Sequence, residues 1–259
     1  MKSLELQNVS KFFVGPAGAK FNVLEDISFS IEIPDDKSSF ISILASFASG
    51  KTTLLKIISA IEEPDSGNVL LMKEPYIKPA GKIPYIPEKP SSFPWLNVEE
   101  NINFVRQNKA GDLKELVENV GLTGYENHHP HNESLGFRFR ISLARALAVK
   151  PDFILLDDPF KRMNSITKDE IYDLLRAIQG KYKVSFILAT TNIAEAVYLS
   201  NKIFLMKKNP GKIIEEIKLD AETLRKKGLN SHERFISLRN EIEKSFQASG
   251  ETLQTEVHY

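Results

Sequence analysis

The sequence predicts an α/β fold, a mainly parallel sheet core carrying an antiparallel β layer, and three observations predict it. Phe153-Ile154-Leu155-Leu156 and Val184–Ala189 are near-continuous apolar runs of strand length, separated by helical patterning, as in strands covered on both faces. Ser39–Leu44 (SFISIL) is a third such run and leads directly into a small-residue loop and a helix pattern. Segments 3–8 and 25–32 instead alternate, with Ile27, Phe29 and Ile31 on one face, the pattern of a half-buried antiparallel layer.

Taken in chain order, the strand Ser39–Leu44 is followed by Ala45–Thr53 and then by Leu54-Leu55-Lys56-Ile57-Ile58, spaced as a buried helix. Gly67–Leu71 and Ile83–Ile86 read as further strands. From Val98 to about Val120 the pattern is helical, with Asn97 as cap and Leu113, Leu116, Val117 and Val120 on one face. The run Phe153–Leu156 ends in Asp157-Asp158-Pro159, and Val184–Ala189 ends in Thr190-Thr191-Asn192. A strand near Lys202–Met206 precedes a late helix, in which Asn230-x-x-Glu233 is a capping box and Phe235, Leu238, Ile242 and Phe246 form one stripe. That stripe reads as a helix packed on the body.

Composition narrows the function classes. The chain has 259 residues, enough to bury a large core without staples, and 34 basic against 34 acidic residues leave no net field for a nucleic-acid backbone. The absence of cysteine removes disulfide scaffolds, thiolate metal sites and thiol nucleophiles. No apolar run reaches the roughly 18 residues of a membrane span, so a soluble, cytoplasmic protein is expected. His128, His129 and His131 cluster, but with only five histidines and no cysteine in the chain they read as part of a loop rather than a metal site, and Arg225-Lys226-Lys227 reads as a solvated helix face.

The segment Ala45-Ser46-Phe47-Ala48-Ser49-Gly50-Lys51-Thr52-Thr53 fits the phosphate-loop pattern G-x-x-x-x-G-K-[ST] at every fixed position except the first, where Ala45 replaces glycine. In such a loop successive backbone N–H groups wrap phosphates, the lysine reaches the outer phosphates and the hydroxyl holds Mg²⁺. If Ala45 or Ala48 must adopt positive φ, each costs about 1 kcal/mol. A small-residue turn before a helix would give a similar string. The apolar strand that delivers Asp157, where a Mg²⁺-coordinating carboxylate would sit, weighs against that reading, because the two features are coupled.

With these motifs and the segments between them, the chain resembles the ATP-binding subunit of an ABC transporter, of the nitrate, sulfonate, taurine and thiamine-precursor importer type. Pro94-Trp95-Leu96-Asn97-Val98-Glu99-Glu100-Asn101-Ile102 is similar to the segment after that group's Q-loop. Tyr125–Pro130 (YENHHP) is similar to its lead-in to the signature motif, and Ile141–Leu147 to the helix after it. Asp158-Pro159-Phe160 with Ser165–Lys168 brackets the D-loop, and Phe235–Ile242 resembles the tail.

The resemblance implies a P-loop NTPase fold of ABC type, with a nucleotide-binding core at 1–96 and 151–229, a helical signature subdomain at 97–150, and a C-terminal helix and tail at 230–259. It implies ATP and Mg²⁺ as ligands, with Phe13 stacking on adenine, Ala45 to Thr53 around the phosphates, and Thr52, Asp157 and Glu88 at the metal. Asp158, Glu88 and Thr191 take the catalytic positions, and Ser134, Leu135 and Gly136 the signature. For Phe12, next to Phe13, a core position is expected. The implied partners are a second ATP-binding subunit, identical or not, and an integral-membrane permease. The chain itself would sit peripherally on the inner face of the cell membrane, without insertion and without nucleic acid.

Five departures from the family pattern fall where the chemistry would be. The signature LSGGQ becomes Glu133-Ser134-Leu135-Gly136-Phe137; the Q-loop glutamine becomes Glu88; the catalytic glutamate becomes Asp158, one methylene shorter; the switch histidine becomes Thr191; and the D-loop becomes Arg162-Met163-Asn164. A displacement of about 1 Å of a base can cost roughly a hundredfold in rate. Slow hydrolysis is therefore expected of an energy-coupling subunit for small-solute import. The rival reading is a regulatory nucleotide-binding subunit that hardly hydrolyses ATP beside an intact partner.

Overall fold

A computed structural model describes residues 1–76, 82–89, 91–106, 113–219 and 233–250. In chain order the elements are β1 (Lys2–Val14), β2 (Lys20–Ile33), β3 (Phe40–Ala45), α1 (Lys51–Ile58), β4 (Ser66–Leu71), β5 (Glu74–Pro75), β6 (Tyr85–Ile86), α2 (Val98–Asn103), α3 (Leu113–Asn119), α4 (Leu135–Ala148), β7 (Phe153–Asp157), α5 (Ser165–Tyr182), β8 (Ser185–Thr190), α6 (Ile193–Leu199), β9 (Lys202–Lys207), β10 (Lys212–Lys218) and α7 (Glu233–Ala248). The chain forms two compact units, Met1–Gly81 with Ser185–Tyr259, and Lys82–Val184.

In the first unit, β1 pairs antiparallel with β2 and β4, and β4 with β5. Leu4 faces Ile31 and Leu6 faces Phe29 in register, so the alternating residues of both strands supply one buried face. The hairpin is longer than the alternation alone indicates, because register shifts near Val9 and Lys11 re-phase the pairing. Asn8 and Asp26 take positive φ in this stretch. β3, with all six residues buried, pairs parallel with β8 on one side and β9 on the other; β10 closes antiparallel on β9. The sequence reading passed over β10, whose doublets Ile213-Ile214 and Glu215-Glu216 break strict alternation; a register shift between Ile213 and Glu215 absorbs the extra residue.

The late stripe does pack on the body. Phe235, Leu238, Ile242 and Phe246 are buried with Leu44, Ile193, Ala196, Val197, Ile203, Leu205 and Ile217. Asn230 and the basic run Arg225-Lys226-Lys227 lie outside the described residues.

In the second unit, β6 and β7 pair in parallel, Tyr85 with Leu155 and Ile86 with Leu156. The helical pattern expected from Val98 to about Val120 is two helices. α2 stops at Asn103, where the Arg106 N–H turns back to the Asn103 carbonyl at 3.1 Å, and α3 begins at Leu113. Asn97 caps α2, accepting from the Glu100 N–H at 2.8 Å, while Glu100 accepts from the Asn97 N–H at 2.9 Å. Asn101 is fully buried on α2, and its amide ties down the preceding loop through the Phe93 N–H and the carbonyls of Phe93, Leu96 and Asn97. Among the described residues no helix is long and apolar enough to cross a membrane.

Candidate functional site

The first unit carries the phosphate loop. β3 ends at the buried Ala45, the loop turns through Ser46–Ser49, and Gly50 caps α1. Gly50 sits at φ +93°, and a Cβ there would meet the Leu24 Cδ2 at 2.9 Å and the Val23 carbonyl oxygen at 3.0 Å, so glycine is required both by conformation and by space. Ala48 takes φ +59°, and so bears the strain that the sequence assigns to one of two alanines; Ala45 does not. Lys51 is buried, and its ammonium donates to the carbonyls of Ala45 at 3.1 Å and Ser46 at 2.8 Å, so the side chain braces the loop from within.

Two observations mark this loop as a fit for an anion. The Ser49 hydroxyl is buried at 2% exposure without a hydrogen-bond partner among the described residues. The backbone N–H groups of Ala48, Ser49 and Gly50 likewise donate to no acceptor among those residues. A buried hydroxyl left unpaired is costly, the N–H groups of the exposed Ala48 and half-buried Gly50 stand open beside it, and a helix N-terminus adds partial positive charge, so an oxyanion ligand matches the local need. Phe47 and Thr52 are exposed beside it, and Thr53 is half-buried.

Leu44 of β3 pairs with Thr190 of β8, so Ser46 and Thr191 leave the sheet from neighbouring strand ends. Thr191 is held by its flanks. The Thr190 hydroxyl donates to the buried Glu195 carboxylate at 2.7 Å and accepts from the Asn192 N–H at 3.1 Å, and the Asn192 side chain caps α6 by accepting from the Glu195 N–H at 3.2 Å. Phe13 lies on β1, 43% exposed, with the Lys11 ammonium 5.5 Å from its ring centroid. Phe12 is half-buried under the Lys20 ammonium at 4.5 Å rather than in the core, because the register shift at Lys11 re-aims the strand.

The second unit carries the acidic residues. Asp157 ends β7 and is 5% exposed; its Oδ2 accepts a 2.6 Å hydrogen bond from the Tyr85 hydroxyl. Burial, then the hydrogen bond to Asp157 and its negative charge, push the Tyr85 phenol far up, so it stays protonated and remains a donor. Asp158 follows at φ +47°, a conformation that aspartate tolerates better than most side chains. Glu88 is drawn into an ion pair: its Oε1 lies 3.3 Å from the Arg162 Nε.

Ser134 caps α4, accepting from the Phe137 N–H at 3.2 Å, and Leu135 is half-buried. Gly136 is buried against α5, where a Cβ would come within 2.7 Å of the Thr167 Cγ2. Beside the buried amide of Asn101, the Arg145 guanidinium stacks 4.3 Å from the Phe93 ring centroid and donates to the Ser91 carbonyl at 2.6 Å, leaving Trp95 and Phe104 exposed at 70% and 67%.

The family model described as ABC transporter matches residues 24–161, more than half of the chain. The chain belongs to the ABC transporter family. It is an ATP-binding subunit and an ABC-type ATPase by fold and motif order. The aliphatic sulfonates import ATP-binding protein of Bacillus cereus is 34% identical over 252 residues, covering 96% of this chain and 97% of the relative. The protein of the same name from Bacillus subtilis is 36% identical over 200 residues, covering 76% and 77%. Among solved structures, a dimeric ATP-binding cassette in a post-hydrolysis state with ADP and Pi superposes with a TM-score of 0.70 at 24% identity, covering 83% of this chain and 98% of that one.

Sequence reasoning missed Tyr85, Asn101 and the pairing of Glu88 with Arg162. For Tyr85 the available signal was an aromatic with a polar tip on a short strand between Pro84 and Pro87.

Proposed function

We propose that this ABC protein binds ATP with Mg²⁺ and couples its turnover to import of a small solute of the sulfonate kind, the class named for its relatives. The observation that carries the nucleotide reading is the set of unpartnered donors at Ala48, Ser49 and Gly50, with Lys51 inside the same loop. Ala45, Ser46, Phe47 and Thr53 complete the wrap, and Phe13 offers an exposed ring to the base. Thr52 and Asp157 are the hard oxygen donors that would hold Mg²⁺, with Glu88 in or beside that shell. Bound there, the cation would neutralise developing charge on the phosphoryl oxygens.

Asp158 would orient water, from a side chain one methylene short, and Thr191 can donate a hydrogen bond but carries no positive charge. Both favour slow hydrolysis. Ser134, Leu135 and Gly136, at the N-terminus of α4, would address nucleotide held by a second ATP-binding subunit. The exposed Trp95 segment would dock on a permease, placing the chain on the inner face of the cell membrane. In this reading α2 to α4 make up the helical subdomain at 97–150.

The test is the melting temperature against Mg-ATP, Mg-ADP and AMP. A saturable rise with ATP, equivalent to about 2.7 kcal/mol at a hundredfold excess over Kd, and lost in Lys51→Ala, supports the reading. No rise at millimolar nucleotide refutes it. The replacements at Glu133, Leu135 and Thr191 favour a second reading, a regulatory subunit beside an intact partner. Single-turnover hydrolysis in the assembled transporter separates the two.

A further inference from the structure

We propose that Tyr85 is a positioning residue for metal binding: its hydroxyl fixes the Asp157 carboxylate in the orientation from which that carboxylate takes the Mg²⁺ of a bound nucleotide. The inference rests on the reading that ATP and Mg²⁺ bind at Asp157, and goes beyond it by assigning a role to a residue outside every motif.

The geometry is local and specific. β6 consists only of Tyr85 and Ile86, which pair with Leu155 and Leu156 of β7. This places the Tyr85 ring alongside the end of β7, where its hydroxyl lies 2.6 Å from Asp157 Oδ2. The Leu155 N–H donates to the Pro84 carbonyl at 2.8 Å, which pins the residue before Tyr85 to the same strand. Asp157 is itself 5% exposed, so water cannot readily take over the phenol's place. A carboxylate on a single Cβ rotates about χ2, a broad and nearly two-fold torsion. A short hydrogen bond to one named oxygen restricts that freedom and sets which oxygen faces the phenol. Hydrogen bonds from outer groups to ligating carboxylates commonly contribute 10–100-fold in metal affinity.

Phenol and cation ask different things of Asp157. The phenol donates to one oxygen whether or not Mg²⁺ is present, whereas occupancy of the cation site rises with Mg²⁺ concentration. The hydroxyl therefore affects the Mg²⁺ dependence of nucleotide binding and leaves metal-free binding to the phosphate loop untouched. A purely structural tyrosine would weaken both together or lower the melting temperature alone.

The experiment titrates Mg²⁺ into the full chain with trinitrophenyl-ATP, read by fluorescence, beside a parallel titration of the nucleotide in EDTA. Tyr85→Phe removes one oxygen, and Tyr85→Leu removes the hydroxyl with a different shape; either variant that folds, checked by its melting curve, decides. The expected result is a Mg²⁺ half-saturation raised about 10–100-fold with an unchanged affinity in EDTA. An unchanged Mg²⁺ half-saturation overturns the role of Tyr85, and so does an equal loss in both titrations. Asp157→Asn serves as the reference. If it too leaves the Mg²⁺ dependence intact, the metal reading of Asp157 has failed, and that outcome is distinct from a failure confined to Tyr85.

Discussion

Gly50→Ala should be the most damaging single methyl in the phosphate loop. The residue sits at φ +93°, where a side chain costs about 1–2 kcal/mol. The new Cβ would also lie 3.0 Å from the Val23 carbonyl oxygen and 2.9 Å from the Leu24 Cδ2, and neither gives easily: one is backbone, the other belongs to a side chain 1% exposed. Overpacking of this kind costs about 1–3 kcal/mol. Alanine's smaller unfolded-state entropy returns roughly 0.5–1 kcal/mol. The net is a loss of about 2–4 kcal/mol, read as a lower urea midpoint at constant slope, or as a fall of about 5–10 °C in melting temperature. Ala48→Gly is the opposite experiment two residues away: the exposed Ala48 has no packing to lose, and relief of its positive φ against glycine's entropy leaves a change within about 1 kcal/mol. A loss below about 1 kcal/mol for Gly50→Ala would refute the claim that Val23 and Leu24 hold the loop rigid.

Phe246→Ala, which empties a site at 1% exposure under α7, should cost about 3–5 kcal/mol by denaturant melting. Gly136→Ala sets the displacement of the Thr167 methyl against a gain of about 0.5–1 kcal/mol in helix propensity, so it should cost no more than about 2 kcal/mol; a neutral result would show that the Thr167 side chain re-orients to make room. Arg162→Ala should change stability by less than about 1 kcal/mol, because the ion pair with Glu88 is solvent-exposed, yet it should weaken ATP binding, and Glu88→Gln added to it should restore that binding. Asp158→Glu combined with Thr191→His should raise single-turnover hydrolysis by about a hundredfold; no gain would place the rate limit in the signature residues instead.

Periodicity was a good guide wherever a strand is buried on both faces. Phe40–Ala45, Phe153–Asp157 and Ser185–Thr190 match their apolar runs to within a residue, because every position is buried and only small serines, Ser42 and Ser185, interrupt the apolar residues. It failed where irregular backbone carries the structure. The division of α2 from α3 and the register shift in β10 come from turns and bulges whose signals are one residue wide. In the site, the contiguous phosphate loop and the Asp157 strand end were legible as strings. Tyr85 and Arg162 were not, since each matters through a partner tens of residues away, 72 positions for Tyr85 and Asp157. The strain at Ala48 was foreseen as a choice between two alanines, and only the backbone angles assign it.

The ion pair between Glu88 and Arg162 changes how the chain's divergence is valued. Compared with the family pattern one position at a time, the two residues are separate losses, an anion added at one loop and a motif dissolved at another. In the folded chain they meet as one ion pair, a charge and its counter-charge where the family pattern has a neutral amide. Returning Glu88 alone to glutamine would leave the Arg162 guanidinium without this counter-charge. Any attempt to bring either position back to the family pattern must therefore move both residues together.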